Sequence, residues 1–354
     1  MRFLSLALAV FAAIAPMRAH AQVVETHRLT EEQSAAIRDS PHRTQLRITI
    51  WYPAVPGASE QPILIGPEAH PDFIVGTAAM DAAPAPDPAE GKRPVILLSH
   101  GFGGSARLMG WFGIAMARQG YVVVAVDHPG NNALDPMTVP GALLTWERAA
   151  DLKRALEAVL ADKVIGPHID PRRVGLAGFS AGGFTALVGA GARVDFARFE
   201  RFCAEHRDDG VCKPQAELAI SVEQRKAFFE DPAYAETVRH MGDDHSIPNV
   251  RAVFAMAPAI VQGLDPASLQ KVSVPVSIVL GTADTVAPPD TNGKVAASLI
   301  PDALLQILPD VGHYDFVADC APQTEAPVCA WAKHQAEAHD AAINAASRLF
   351  QSAL

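Results

Sequence analysis

Ser180 stands in Gly178-Phe179-Ser180-Ala181-Gly182, between an apolar run ending at Phe179 and a run of small residues starting at Ala181. A free serine hydroxyl is a poor nucleophile. On a tight strand–turn–helix elbow, however, its oxygen is held exposed above a sheet, and the flanking glycines let strand and helix pass closely. Such a serine needs a base, a carboxylate to orient that base, and donors for the oxyanion that forms on attack. Where a serine on this elbow is paired with an acid and a histidine, the chain order is Ser, then acid, then His. Downstream, "VLGTADTVAPP" puts Asp284 just after an apolar run, and "LLQILPDVGHYDF" puts His313 just after the last one. The expectation is that Ser180 attacks, His313 takes its proton and Asp284 holds the imidazole. Asp290 and Asp265 remain alternative acids. Upstream, "SHGFGGSA" (99–106) offers backbone donors. The expected oxyanion hole combines the N–H groups of Phe102 and Ala181. His100 is expected to orient that loop rather than react. Phe102, Phe179 and His128 are expected to line the substrate pocket, with His128 at its rim or in a plain loop. Arg148 and Asp151, three apart, read as a scaffold ion pair.

These residues need elements that bring them together. "PVILLSH", "YVVVAVD", "RVGLAGF", "RAVFAMAP", "PVSIVLG" and "ALLQILP" are short apolar runs that do not alternate. Strands of that kind are buried on both faces, which implies a mainly parallel sheet. Between them lie helical patterns, such as residues 145–163, where Leu152, Leu156, Val159 and Leu160 form one stripe and Thr145 is the expected N-cap. Strands alternating with helices predict a doubly wound α/β fold. The alternating "TQLRITIWYPA" (44–54) reads as a half-exposed strand. Residues 53–94 hold nine prolines and read as an irregular surface segment with room for a short helix. Residues 193–247 carry 12 acidic and 8 basic residues, and read as a charged helical insertion or cap.

Composition bounds the function. The formal net charge is −10, which disfavours nucleic acid as a partner. Residues 1–21 combine Arg2, an apolar run and a small-x-small site at Ala19-His20-Ala21. This predicts a secretory signal peptide and an exported domain over 22–354, periplasmic or extracellular, with no stable membrane insertion after cleavage. Four cysteines in an exported chain predict disulfides, with 203–212 and 320–329 preferred among the three pairings. Neither pair has the Cys-x-x-Cys spacing of a zinc site. Oligomeric state is not readable.

Together, "WYPA", "SHGFGG", "AVDHPGN" and "GFSAGG" resemble the α/β-hydrolase superfamily over residues 42–350. Within it they look like the platelet-activating factor acetylhydrolase and dienelactone hydrolase-like group. The resemblance implies a cofactor-free, metal-free serine esterase acting on small esters with a modest acyl group. It carries nucleophile, acid and base onto Ser180, Asp284 and His313, and the oxyanion donors onto Phe102 and Ala181. Phe179 stands where that group commonly has histidine. The same triad also serves amide, peptide, lipid and polyester cleavage. A non-catalytic binding protein on this scaffold is disfavoured, because all three residues stand at the expected places.

Overall fold

A computed structural model describes residues 22–354. The segment read as a signal peptide lies outside the described residues. Eleven strands make one sheet: β1 (Val23–Glu31), β2 (Gln45–Pro53), β3 (Gln61–Ile65), β4 (Phe73–Met80), β5 (Arg93–Ser99), β6 (Val122–Asp127), β7 (Ile169–Phe179), β8 (Val250–Met256), β9 (Val276–Gly281), β10 (Leu304–Leu308) and β11 (Asp319–Cys320). The order is β10-β9-β8-β7-β5-β6-β2-β1-β4-β11, with β3 on β4. Strands β5 to β10 pair in parallel and coincide with the six apolar runs. β5 to β9 are largely buried, but β10 is not, because it is the edge strand and leaves Leu304, Leu305 and Ile307 exposed. β2 joins this block antiparallel to β6, and β1 pairs antiparallel with β2.

Helices cover both faces. α1 (Gly110–Arg118) lies on one face, while α2 (Val139–Leu143), α3 (Glu147–Ala161) and α4 (Ala181–Gly189) follow on the other. The chain then runs through α5 (Phe196–Glu205), α6 (Val222–Glu230), α7 (Ala235–Arg239), α8 (Pro266–Leu269), α9 (Gly293–Leu299) and α10 (Gln335–Ala353). The α3 stripe of Leu152, Leu156 and Val159 packs into one core, and Ala338, Ala342, Leu349 and Phe350 of α10 pack into the other. The fold is therefore a doubly wound, mainly parallel α/β sheet.

Three further local expectations are corrected. β2 is not half-exposed: from Ile48 to Pro53 every residue is buried, because α1 and α3 both pack on it. The proline-rich 53–94 segment is not irregular throughout, since it folds β3 and β4. Pro62 is tolerated because β3 is an edge strand that pairs only with β4. Thr145 does not cap α3. The helix starts at Glu147 after Trp146, whose side chain makes no cap bond, and Thr145 turns to the pocket wall.

Residues 193–247 leave the sheet after α4 and return at β8, with α5, α6 and α7 between. Disulfides join Cys203 to Cys212 and Cys320 to Cys329, the preferred pairing. No helix among the described residues is long and apolar enough to cross a membrane.

Candidate active site

β7 ends at Phe179 and α4 begins at Ala181, leaving Ser180 alone on the turn with φ 57° and ψ −120°. Positive φ is costly for a non-glycine residue, so the surroundings must impose it. Ser180 N donates to Met256 O at 2.9 Å, and its carbonyl accepts from Gly183 N at 2.9 Å and Ala259 N at 3.1 Å. The glycines have no alternative here. A Cβ on Gly178 would strike the Gly182 carbonyl, and one on Gly182 would strike Ser99 O.

Above the elbow, Ser180 Oγ lies 2.9 Å from His313 Nε2, and His313 Nδ1 lies 2.7 Å from Asp284 Oδ2. All three side chains are buried. The loop after β9 holds Asp284, whose Oδ1 accepts from Val286 N and Ala287 N at 2.9 and 2.8 Å. That leaves Oδ2 for the imidazole, which places the proton on Nδ1 and a lone pair on Nε2 facing the serine. The two alternative acids are engaged elsewhere. Asp290 is exposed and paired with Lys294, while Asp265 caps α8. Asp315 carried no signal beyond standing two residues after His313. Its Oδ2 accepts from Gly312 N at 2.7 Å, and its Oδ1 accepts from Lys333 N and His334 N at 2.6 and 2.7 Å. This buried carboxylate ties the His313 loop to the start of α10.

The loop after β5 faces Ser180 from the other side. Gly103 N donates to Asn131 Oδ1 at 2.8 Å and Gly104 N to Gly101 O at 3.2 Å. Among the described residues, the Phe102 N–H has no protein acceptor. The Ala181 N–H is also free, as the first amide of a helix must be. His100 is buried, as expected for an orienting residue. It accepts from His128 N at 3.2 Å, so its Nδ1–H donates to Gly101 O at 2.6 Å. Burial first, then the Arg148 charge, holds His100 well below the usual histidine range.

Two pocket expectations are corrected. His128 is not at the rim but fully buried, 2.9 Å from Ser99 Oγ and 2.8 Å from Asp151 Oδ2. Burial lowers it to about 3, so the ring is neutral and donates from Nδ1 to Asp151. Phe179 does not line the pocket; its ring packs against His313 and Phe316. The expected Arg148–Asp151 pair also does not form. Asp151 takes Arg38 bidentately at 2.7 and 2.8 Å. Although burial alone would raise it, Arg38 and His128 leave Asp151 lowered. Arg148 instead donates to Thr185 Oγ1 at 3.0 Å, to Ser99 Oγ at 3.3 Å and to His100 O.

Ser180, Ala181 and Phe102 open onto a cavity of about 340 Å³. α4, the loop after β8 and the 193–247 segment wall it, the last through Val194, Phe199, Cys212, Leu218 and Arg225. No group of His, Cys, Asp or Glu among the described residues could hold a metal ion.

The model of the alpha/beta hydrolase family matches residues 95–327, which span β5, the elbow and both later loops. The chain belongs to the alpha/beta hydrolase family. The chain is 37% identical over 79 residues to Lipase 1 of Moraxella sp. (strain TA144), a match that covers 22% of the chain and 21% of that protein. The chain thus spans about a fifth of the length of the curated relative it matches. It is also similar in fold to the ferulic acid esterase from Streptomyces cinnamoneus, with a TM-score of 0.58 and 20% identity over 96% of this chain and 92% of that one. A puromycin-hydrolyzing peptidase of Mycobacterium tuberculosis matches with a TM-score of 0.49 and 13% identity, over 93% of this chain and 39% of that one.

Proposed function

We propose that this hydrolase is an exported serine esterase that cleaves small carboxylic esters through an acyl-enzyme. The observation that carries the reading is the unbroken hydrogen-bonded line from Ser180 Oγ through His313 to Asp284, at the wall of a half-open, largely apolar cavity. In acylation, Ser180 Oγ attacks the ester carbon while His313 Nε2 takes its proton, and the carbonyl π-electrons move onto oxygen. The N–H groups of Phe102 and Ala181 receive that oxyanion, helped by the positive end of α4. Collapse expels the alkoxide, which takes the proton from His313. Water then repeats the sequence on the acyl-serine and restores the hydroxyl. Asp284 stays ionised and stabilises the imidazolium in both steps.

Residues 193–247 act as a cap that narrows entry to the cavity. The two disulfides fit an oxidising compartment, which agrees with export after removal of residues 1–21. A panel of p-nitrophenyl esters of rising acyl length, run on wild type and Ser180→Ala, tests the reading. Wild type is expected to hydrolyse the short members, and Ser180→Ala to lose on the order of 10⁶ in rate. Unchanged turnover by a folded Ser180→Ala protein would overturn it.

A further inference from the structure

The protein is acidic overall, yet the described residues that line the cavity include three cations, Arg148, Lys213 and Arg225, and no carboxylate. Two of these cations are incompletely satisfied. Arg148 Nη1 and Arg225 Nε are buried with no hydrogen-bond partner among the described residues, and both belong to side chains that line this one cavity. Arg148 is 1% exposed, and its other nitrogens are spent on Thr185, Ser99 and the His100 carbonyl. The nearest buried carboxylate, Asp151, gives both oxygens to Arg38 and His128. Glu147 and Glu32 bear on Arg38, whereas among the described residues no carboxylate lies within ion-pair distance of Arg148. Burial draws Arg148 down to about 9, which still leaves it charged near neutral pH. A buried cation without a direct ion-pair partner is costly to keep unless something else pairs with it.

We propose that this cavity selects esters that carry a carboxylate, received by Arg148 and Arg225 with Lys213 at the wall. This rests on the serine esterase reading, because it names the substrate class of the same site. Guanidinium groups suit this task, since they stay charged and present several donors to one carboxylate.

Two matched pairs test it at low ionic strength: p-nitrophenyl hemiglutarate against p-nitrophenyl pentanoate, and 4-carboxyphenyl butyrate against phenyl butyrate. The first pair puts the charge on the acyl side and the second on the alcohol side. Wild type is expected to favour the anionic member of at least one pair by about tenfold in kcat/KM, and added salt should shrink that ratio. Arg225→Gln should bring the ratio towards one. Arg225 is the chosen variant because Arg148 also braces the loop after β5. Preference for the neutral member in both pairs, or a ratio that Arg225→Gln does not move, overturns the inference. Thermal unfolding of Ser180→Ala with glutarate separates this from the parent reading. If no ester is turned over but glutarate raises the Tm, and does so only with Arg225 present, the esterase reading fails and the anion site stands. No turnover and no change in Tm sinks both.

Discussion

The ring of Phe179 packs 4.8 Å from the imidazole of His313, tilted by 41°. The same ring lies beneath Gly101, where an added Cβ would come within 3.1 Å of it. One buried side chain therefore supports His313 on one side and the loop that carries Phe102 on the other. Phe179→Ala removes that support and leaves a cavity, which costs about 3–5 kcal/mol in a core site. Ester turnover should fall mainly in kcat, with Phe179→Leu recovering most of the stability. Denaturant unfolding with steady-state rates on all three proteins checks this. An unchanged kcat in Phe179→Ala would show that His313 is held without the ring.

Asp284, Asp290 and Asp265 differ in what their carboxylates touch, so their variants are expected to differ. Asp284→Asn keeps the shape but offers Nδ1 the wrong partner, so kcat is expected to drop on the order of 10⁴-fold. Asp290→Asn breaks only an exposed pair with Lys294 and should change neither rate nor stability measurably. Asp265→Asn alters the cap of α8 and should cost at most about 1 kcal/mol with turnover retained. Rates from the three variants decide the matter. A larger loss in Asp265→Asn or Asp290→Asn than in Asp284→Asn would unseat Asp284.

Much of this arrangement is legible because it is local. Continuous apolar runs mark the parallel strands, although β10 is an exposed edge rather than a strand buried on both faces, and the glycines around Ser180 mark a close crossing of strand and helix. Asp284 and His313 each follow such a run directly. What escapes the sequence is long-range. Arg38 and Asp151 are 113 residues apart, so nothing near Asp151 says that Arg38, and not Arg148, will take it. His128 sits at a strand end like a pocket residue, yet two inward hydrogen bonds turn its ring away. β3 and β4 are masked by prolines that an edge strand tolerates.

That buried network makes the fold sensitive to acid. Burial lowers His128 to about 3 from 6.5, and lowers His100 well below 6.5. Below pH 6.5 the unfolded chain takes up protons that the folded chain refuses, so stability falls as pH falls. For His128 the slope is about 1.4 kcal/mol per pH unit between about 6.5 and 3. Asp151 is lowered, so its contribution is present above 3.8 and disappears at still lower pH. Arg148, drawn down to about 9, does not titrate in this window. Urea unfolding at several values between pH 7 and pH 4 should show the decline, and His128→Gln should flatten it by close to one proton. A slope that His128→Gln leaves untouched would place the acid sensitivity elsewhere.

The 193–247 segment should not act as an interfacial lid. A lid that opens on lipid presents an apolar face outward, usually with basic residues towards anionic headgroups. Here the apolar side chains turn inward. Val194, Phe199, Phe228 and Ile247 are buried, and Phe229 packs 4.7 Å from Phe196. Val222, at 67% exposure, is the one large apolar side chain of the segment left well exposed. The segment carries 12 acidic and 8 basic residues, the wrong balance for anionic lipid. Cys212, on the cavity wall, is tied to α5 through Cys203, which restrains that wall against swinging away. Rates on a short-chain triglyceride should therefore follow simple saturation through its solubility limit. A sharp rise in rate once droplets form, or faster turnover of long-chain than short-chain triglycerides, would show that the segment opens at an interface after all.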